Sequence, residues 1–561
     1  SEMKVKGSAR LNSIAAGVLA FLKRHSTLLI AFFLLYNLVL VGLGIGIFHY
    51  RVPEEYKQKI QDRISIAKIP ANFFRGQTTR PDKLHIDIKH KHLRKLAYIR
   101  SVSLQRGFLY DTEENSVPAT IRFGGESYRV ELNVKGALPL HWEDEEMFSM
   151  KVKVKGDHTI LGMKSFALQH PRARGYLNEW ILHELFREAD IINLRYEFLS
   201  VDINGNPSRI YALEEGFEKR LLERNRHKES VILKYESDFH SESPIPPYDN
   251  IIGIPQDLWS SKVVALPMKS TLSDPNLHRL FNKGRSLLEA FRQDQLSTSE
   301  VFDLQKFATF FAMAELFGSH HPCSLDNIRF YYNPITSLIE PIIHDNDHLD
   351  RLGEYPLLGE EKLLGKDIQR RPNQGWWKLT SWYESVFKDP AFYRAYIRAL
   401  EKIADQAYLD DFFARHEEEI QEQKRILHHD YPILSLNPQP IIYQNQAYIR
   451  QALSVEHLLE VRPTAEQPSS TAVQLSVVNT QPFPVEIVGY SVGDAPMVPL
   501  AGELPWLQAR IPAITDTAQL ISLELPEDAD SGASAFNALK VHCRILGASR
   551  VIAEPLILAD N

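Results

Sequence analysis

The stretch that most constrains this chain runs from Cys323 to Asp350, CSLDNIRFYYNPITSLIEPIIHDNDHLD. Ile328 to Tyr332 is β-branched and aromatic, Asn333-Pro334 interrupts it, and Leu338 to Ile343 is again apolar. That pattern predicts a hairpin. Antiparallel pairing sets the residues that flank a hairpin opposite one another. Asp326 and Asn327 at one strand mouth are thereby carried toward Asp345, Asn346 and Asp347 at the other. A set this rich in oxygen suits a hard cation such as Mg²⁺, which takes a few carboxylates plus phosphate and water oxygens. Asp and Asn also cap strand ends and turns, so the cluster alone leaves a metal reading and a capping reading open.

The 561 residues leave room for about three domains. A net charge of −7 offers no basic excess to neutralise a phosphate backbone, which argues against a nucleic-acid partner. The two cysteines, Cys323 and Cys543, have no metal-ligand spacing and read as buried thiols.

Leu28 to Phe48 carries no charge and is long enough to span a bilayer as a helix. Lys4, Lys6, Arg10, Lys23 and Arg24 precede it, and mixed charges follow. The excess of positive charge predicts residues 1–27 in the cytoplasm, an uncleaved anchor over 28–49 and everything after Tyr50 outside. This is the layout of a single-pass protein of the bacterial inner membrane. Residues 50–81 read as a juxtamembrane helix and linker.

Residues 82–431 divide into a β-rich part and a helical part, predicting an α+β fold with two lobes and a cleft between them. Met150 to Lys155, MKVKVK, is a strand with Lys151, Lys153 and Lys155 on one face. Asn204-Gly205 predicts a type I′ hairpin turn. Pro390 to His416 reads as one helix. Residues 432–468 form a connector, and the short strands of 469–561 predict an Ig-like β-sandwich. Trp142, Trp376 and Trp377 offer stacking surfaces for a sugar if they line the cleft.

The middle of the chain resembles the CotH-type spore-coat protein kinases, atypical kinase-like proteins. The likeness rests on ordered segments: LHIDIK, ATIRFGGESYRVELNVKG with its Lys135-Gly136 turn, FSMKVKVKGD, LGMKSFALQHP, RYEFLSVDINGNPSRIYALEEGFEKRLL, VILKY, and the Asp326-Asn327 pair before a hairpin ending in HDNDHLD. The resemblance implies a two-lobed kinase-like domain using Mg²⁺ and ATP. It makes Asp326 the catalytic acid, and Asn327, Asp345 and Asp347 the metal-binding group. It gives Lys153 a phosphate contact and Glu215 a pairing with that lysine or a second metal. Lys234 is a further candidate where the lobes join. Lys153, with Lys151 and Lys155, also reads as part of a solvated strand face, and Glu214 and Glu215 as the acidic first turn of the helix that follows. His344 and His348 flank the acids without the third spaced ligand a zinc site needs. One departure from the family pattern is the acidic run Glu143, Asp144, Glu145 and Glu146 after the Lys-Gly turn, which would repel phosphates. The implied activity is phosphotransfer to an envelope protein or surface polymer. The alternative is a catalytically silent scaffold in a membrane complex that makes or exports a surface polysaccharide.

Overall fold

The computed structural model describes residues 68–107, 109, 115–136, 139–236, 261–319, 321–325, 327–346, 349–352, 357, 381–464, 472–510, 518–524 and 536–558. The apolar run from Leu28 to Phe48 lies outside these residues, as do Asp326, Asp347, Trp376 and Trp377. Among the described residues no helix is long and apolar enough to cross a membrane.

Seven strands close a barrel. They are β1 (Lys83–Asp87), β2 (Val117–Phe123), β3 (Glu126–Val134), β4 (Met150–Val154), β5 (Ser165–Gln169), β6 (Tyr196–Ile203) and β7 (Arg209–Glu215). Their order is β1-β2-β3-β4-β5-β7-β6. Alternation decides what the barrel holds. Met150, Val152 and Val154 are buried on β4 while Lys151 and Lys153 between them are exposed. Leu84, Ile86, Leu132, Tyr211 and Leu213 join the same apolar core. The barrel closes where β1 meets β6 in parallel, with Ile86 opposite Ile203. Asn204 extends that seam with its side chain. Its Oδ1 accepts from the Ile88 N–H at 2.7 Å, and its Nδ2 donates to the Ile88 carbonyl at 3.0 Å. Asn204 and Gly205 both have positive φ, as the predicted turn requires.

A second sheet has the order β11-β10-β8-β9, from β8 (Ile232–Glu236), β9 (Lys262–Leu266), β10 (Arg329–Tyr332) and β11 (Ile339–Ile342). The predicted hairpin is β10–β11, with Arg329 opposite Ile342 and Tyr332 opposite Ile339. Its far end is stitched toward the barrel, because the Ile343 N–H donates to the Ile192 carbonyl at 3.0 Å, just ahead of β6. Helices Leu177–Glu188, Pro275–Arg292 and Leu304–Leu316 contribute to one large apolar core with these strands. The fold is therefore mixed α+β. Cys323 and Cys543 are both buried free thiols.

The predicted helix from Pro390 to His416 is two helices, Pro390–Ala404 and Gln406–His428. Asp405 divides them. It takes an extended conformation, and its side chain accepts from the Ala407 N–H at 3.0 Å, capping the second helix at its start. Residues near the C-terminus form two sheets. In the first, Leu459–Pro463 pairs with Ala472–Asn479, so a strand begins inside the segment read as a connector. The second sheet docks on helix Pro390–Ala404. Arg394 Nε donates to the buried Glu486 at 3.1 Å, and Arg544 donates to the same carboxylate at 2.7 Å. At Gly547 any Cβ would meet the Arg394 backbone at 2.5 Å, which makes glycine the only fit at that contact.

Candidate active site

Three barrel segments and the end of the hairpin converge on a buried ionic cluster. Lys135 follows β3, Glu214 lies near the end of β7, and Arg174 ends the 3₁₀ turn Pro171–Arg174 after β5. Lys135 Nζ stands 2.6 Å from Glu214 Oε1. Arg174 bridges the two halves: Nε lies 3.4 Å from Glu214 Oε2, and an Nη lies 2.6 Å from Asp345 Oδ1. Gln169 Nε2 also donates to Glu214 Oε2. His344 Nε2 stands 3.7 Å from Glu214, and His321 Nε2 stands 3.5 Å from Asp345.

Strand parity explains why Glu214 is the glutamate in this cluster. It shares a face of β7 with Ile210 and Ala212, whose side chains join the helical core outside the barrel. Tyr211 and Leu213, of the opposite parity, fill the barrel.

Charge pairing sets the protonation states. Burial would raise the Glu214 carboxyl, but Lys135, His344 and Arg174 outweigh it and hold it well below the usual carboxylate range. Asp345 is likewise held well below its ordinary value, because Arg174 and His321 overcome its burial. Burial lowers the Lys135 ammonium against the pull of Glu214. The result is two cations matched to two anions. Asp345 also has a φ of +65°, an uncommon conformation for a residue with a side chain, held here by the interactions around it.

Beside the cluster lies His141, whose Nδ1 is 3.1 Å from Ser149 Oγ. Burial, with Arg174 and Lys135 nearby, pushes its imidazole down to about 3. The ring rests on Gly136, where a Cβ would stand 2.2 Å from the imidazole and φ is +98°. This accounts for the Lys135-Gly136 pair. Gly136→Ala is expected to cost about 2–4 kcal/mol, from the left-handed backbone plus displacement of a packed ring. Chemical denaturation measures it, and a change below about 0.5 kcal/mol, the range of neutral surface substitutions, would contradict this packing.

The sequence-predicted residues separate. Asp345 belongs to the cluster, and Asn327 is near it. Asn327 Nδ2 donates to the His321 carbonyl at 3.2 Å, and His321 in turn faces Asp345. The hairpin thus brings Asn327 and Asp345 to one end, while Asp326 and Asp347 lie outside the described residues. Lys153 is not brought in: it is exposed on β4, because its neighbours Val152 and Val154 take the inward positions. Glu215 is buried but serves another arginine. Arg224 Nε donates to it at 2.9 Å and the Arg195 N–H at 2.9 Å. The lysine–glutamate pair of this cluster is therefore Lys135–Glu214, not Lys153–Glu215. Lys234 pairs with Glu236 at 2.6 Å on β8. Trp142 is fully buried, donates to the Gly136 carbonyl at 2.9 Å, and offers no stacking surface.

The acidic run is neutralised locally. Glu143 pairs with Arg172, Glu145 with Arg100 at 3.3 Å and Glu146 with Arg209 at 3.4 Å. Asp144 caps the turn by accepting from the Glu146 N–H at 2.8 Å. Sequence reasoning missed Lys135, Arg174 and Glu214. The available signals were the glycine after Lys135 and the parity of Glu214.

A barrel edge and a hairpin end that meet in a buried lysine–glutamate pair facing an aspartate suit chemistry on a charged, phosphate-bearing ligand. The family model for CotH kinase protein matches residues 123–439, more than half of the chain, and the chain belongs to that family. It is accordingly a kinase-like protein. No curated protein matches the chain.

Proposed function

We propose that the protein is a membrane-anchored phosphotransferase that uses Mg²⁺ and ATP and acts on an envelope protein or surface polymer. The observation that carries this reading is the Lys135–Glu214–Arg174–Asp345 cluster. Phosphoryl transfer asks a protein for positioned cations and metal-binding acids rather than for covalent chemistry. Lys135 and Arg174 supply fixed positive charge for phosphates, and Glu214 keeps both in place. The residues fit a hard cation. Asn346, the residue after Asp345, is fully buried with neither side-chain amide atom hydrogen-bonded, which leaves its amide oxygen open to a ligand. Asp345 and Asn327, with Asp347, are the residues that would hold Mg²⁺, and Asp326 would orient the acceptor hydroxyl. Bound there, the cation would neutralise charge developing on the transferred phosphoryl group. In this reading the chain folds into two lobes around the cleft. The helix over residues 28–49 anchors it in the inner membrane, with the site on the outer side.

A second reading is favoured by one observation: both cluster cations are already charge-matched, Lys135 by Glu214 and Arg174 by Asp345. A closed set of this kind suits a catalytically silent scaffold within an envelope polymer-assembly complex. ATP turnover separates the two. The full chain incubated with Mg²⁺ and radiolabelled ATP should release or transfer the γ-phosphate, and Lys135→Ala should slow this by about 100-fold or more, the scale of losing one charge-stabilising group. Equal turnover by wild type and Lys135→Ala would sink the phosphotransferase reading, and so would none by folded wild type.

A further inference from the structure

A second charged site lies where helices Leu177–Glu188 and Gln406–His428 face each other. The first helix presents Glu184 and Glu188 one turn apart, and the second presents His416 and Glu419 one turn apart. One ligand atom each from Glu184, His416 and Glu419 lies within 4.8 Å of the others. His416 is more than nine-tenths buried. Its ring is fixed between Phe412, 4.7 Å away, and Trp180, 6.5 Å away.

The imidazole has a carboxylate at each nitrogen. Nε2 lies 2.9 Å from Glu188 Oε1, and Nδ1 contacts Glu419 Oε2. Ionised carboxylates only accept, and a neutral imidazole carries a single N–H. That N–H can satisfy one carboxylate, and the other nitrogen then turns a lone pair toward the other. A cation at that nitrogen, a proton or a metal ion, satisfies both carboxylates. Each part of such a site is already oriented. Arg415 grips Glu188 with Nε at 3.1 Å and an Nη at 2.6 Å. Arg187 Nε holds Glu184 Oε2 at 2.7 Å. A metal-bound histidine typically donates its other N–H to a carboxylate held from behind, which is the place Glu188 occupies.

We infer that Glu184, His416 and Glu419 bind one Zn²⁺ ion, with Nδ1 of His416 and one oxygen from each glutamate as ligands and Glu188 orienting the imidazole. One nitrogen and two oxygens are donors zinc accepts, and the exposed side of Glu419 leaves a fourth position to water. The ion would clamp the helix that follows Arg174 to the long helix behind it. This site shares no residue with the Lys135–Asp345 cluster and does not rest on the function proposed for it.

The test uses the full chain, stripped with a chelator and titrated with Zn²⁺ against a chromophoric competitor. One ion per chain is expected, together with a higher melting temperature. Glu188→Gln is expected to weaken binding by about 10–100-fold, the usual effect of losing an outer-shell partner. Glu419→Gln, at an exposed position that does not endanger folding, should weaken it at least as much. Asp345→Asn should leave it unchanged, separating this site from the hairpin acids. Cobalt substitution should give visible absorption that His416→Ala abolishes. Binding by Glu419→Gln equal to wild type, or no stoichiometric Zn²⁺ in the wild type, would overturn the assignment and leave His416 as an imidazolium bridging two glutamates.

Discussion

The Glu214→Gln variant is expected to lose about 3–5 kcal/mol of unfolding free energy at neutral pH, the cost of removing one partner from a buried ion pair. Glu214 is almost fully buried and receives Lys135, Arg174 and Gln169. Taking away its charge leaves the buried Lys135 ammonium without its counter-ion, while Arg174 keeps Asp345, and desolvation of that ammonium dominates the loss. The companion test is the double variant Lys135→Met/Glu214→Gln, which removes the stranded ammonium as well. It should recover part of the loss, because deleting both members of a buried pair is far milder than deleting one. Denaturant titration of the variants supplies the numbers. A Glu214→Gln loss under about 1 kcal/mol, the scale of an exposed pair, would contradict the buried arrangement.

The second large effect is on pH dependence. Burial, then Arg174 and Lys135, lowers His141 from 6.5 to about 3, and burial, then Arg172, lowers His170 to about 4. For a base whose folded pKa lies below its unfolded value, the unfolded chain takes up the proton first. The stability these neutral imidazoles allow is full above about pH 6.5 and falls as the pH drops toward 4. At its limit the His141 contribution is on the order of 5 kcal/mol. Melting temperature should therefore decline between pH 6.5 and 4.5, above the range where Glu214 and Asp345 protonate. His141→Gln should flatten that decline in part, with His170, His344, His428 and His542, all lowered by burial, contributing the rest. A wild-type melting temperature constant from pH 7 to 4.5 would contradict the burial of these rings as neutral groups.

Much of the fold was legible because its signals are local. The hairpin's two apolar runs, the Asn204-Gly205 turn and the alternation of Met150 to Val154 each reflect backbone chemistry within a few residues. The Asp405 break was hidden because apolar spacing continues through it, and only the capping carboxylate divides the helices. The candidate site was half legible. Asp345 and the approach of Asn327 follow from antiparallel pairing. Lys153 and Glu215 misled because lysine alternation on β4 marks the solvated face, and because which of two adjacent glutamates faces the hairpin depends on how the barrel is turned. That orientation is set by long-range packing of Ile210 and Ala212 against the helices. Arg174 carried no pattern at all. Its place between Glu214 and Asp345 exists only once β5, β7 and the hairpin have met.

Calorimetric titration of the full chain with ATP tests most directly whether this cluster binds a nucleotide through a metal. Wild type should bind ATP in the presence of Mg²⁺ and not after chelation, and Asp345→Asn should abolish the metal-dependent part. ATP binding that ignores both Mg²⁺ and the Asp345→Asn substitution, or no binding by the folded wild type, would contradict that role for the cluster.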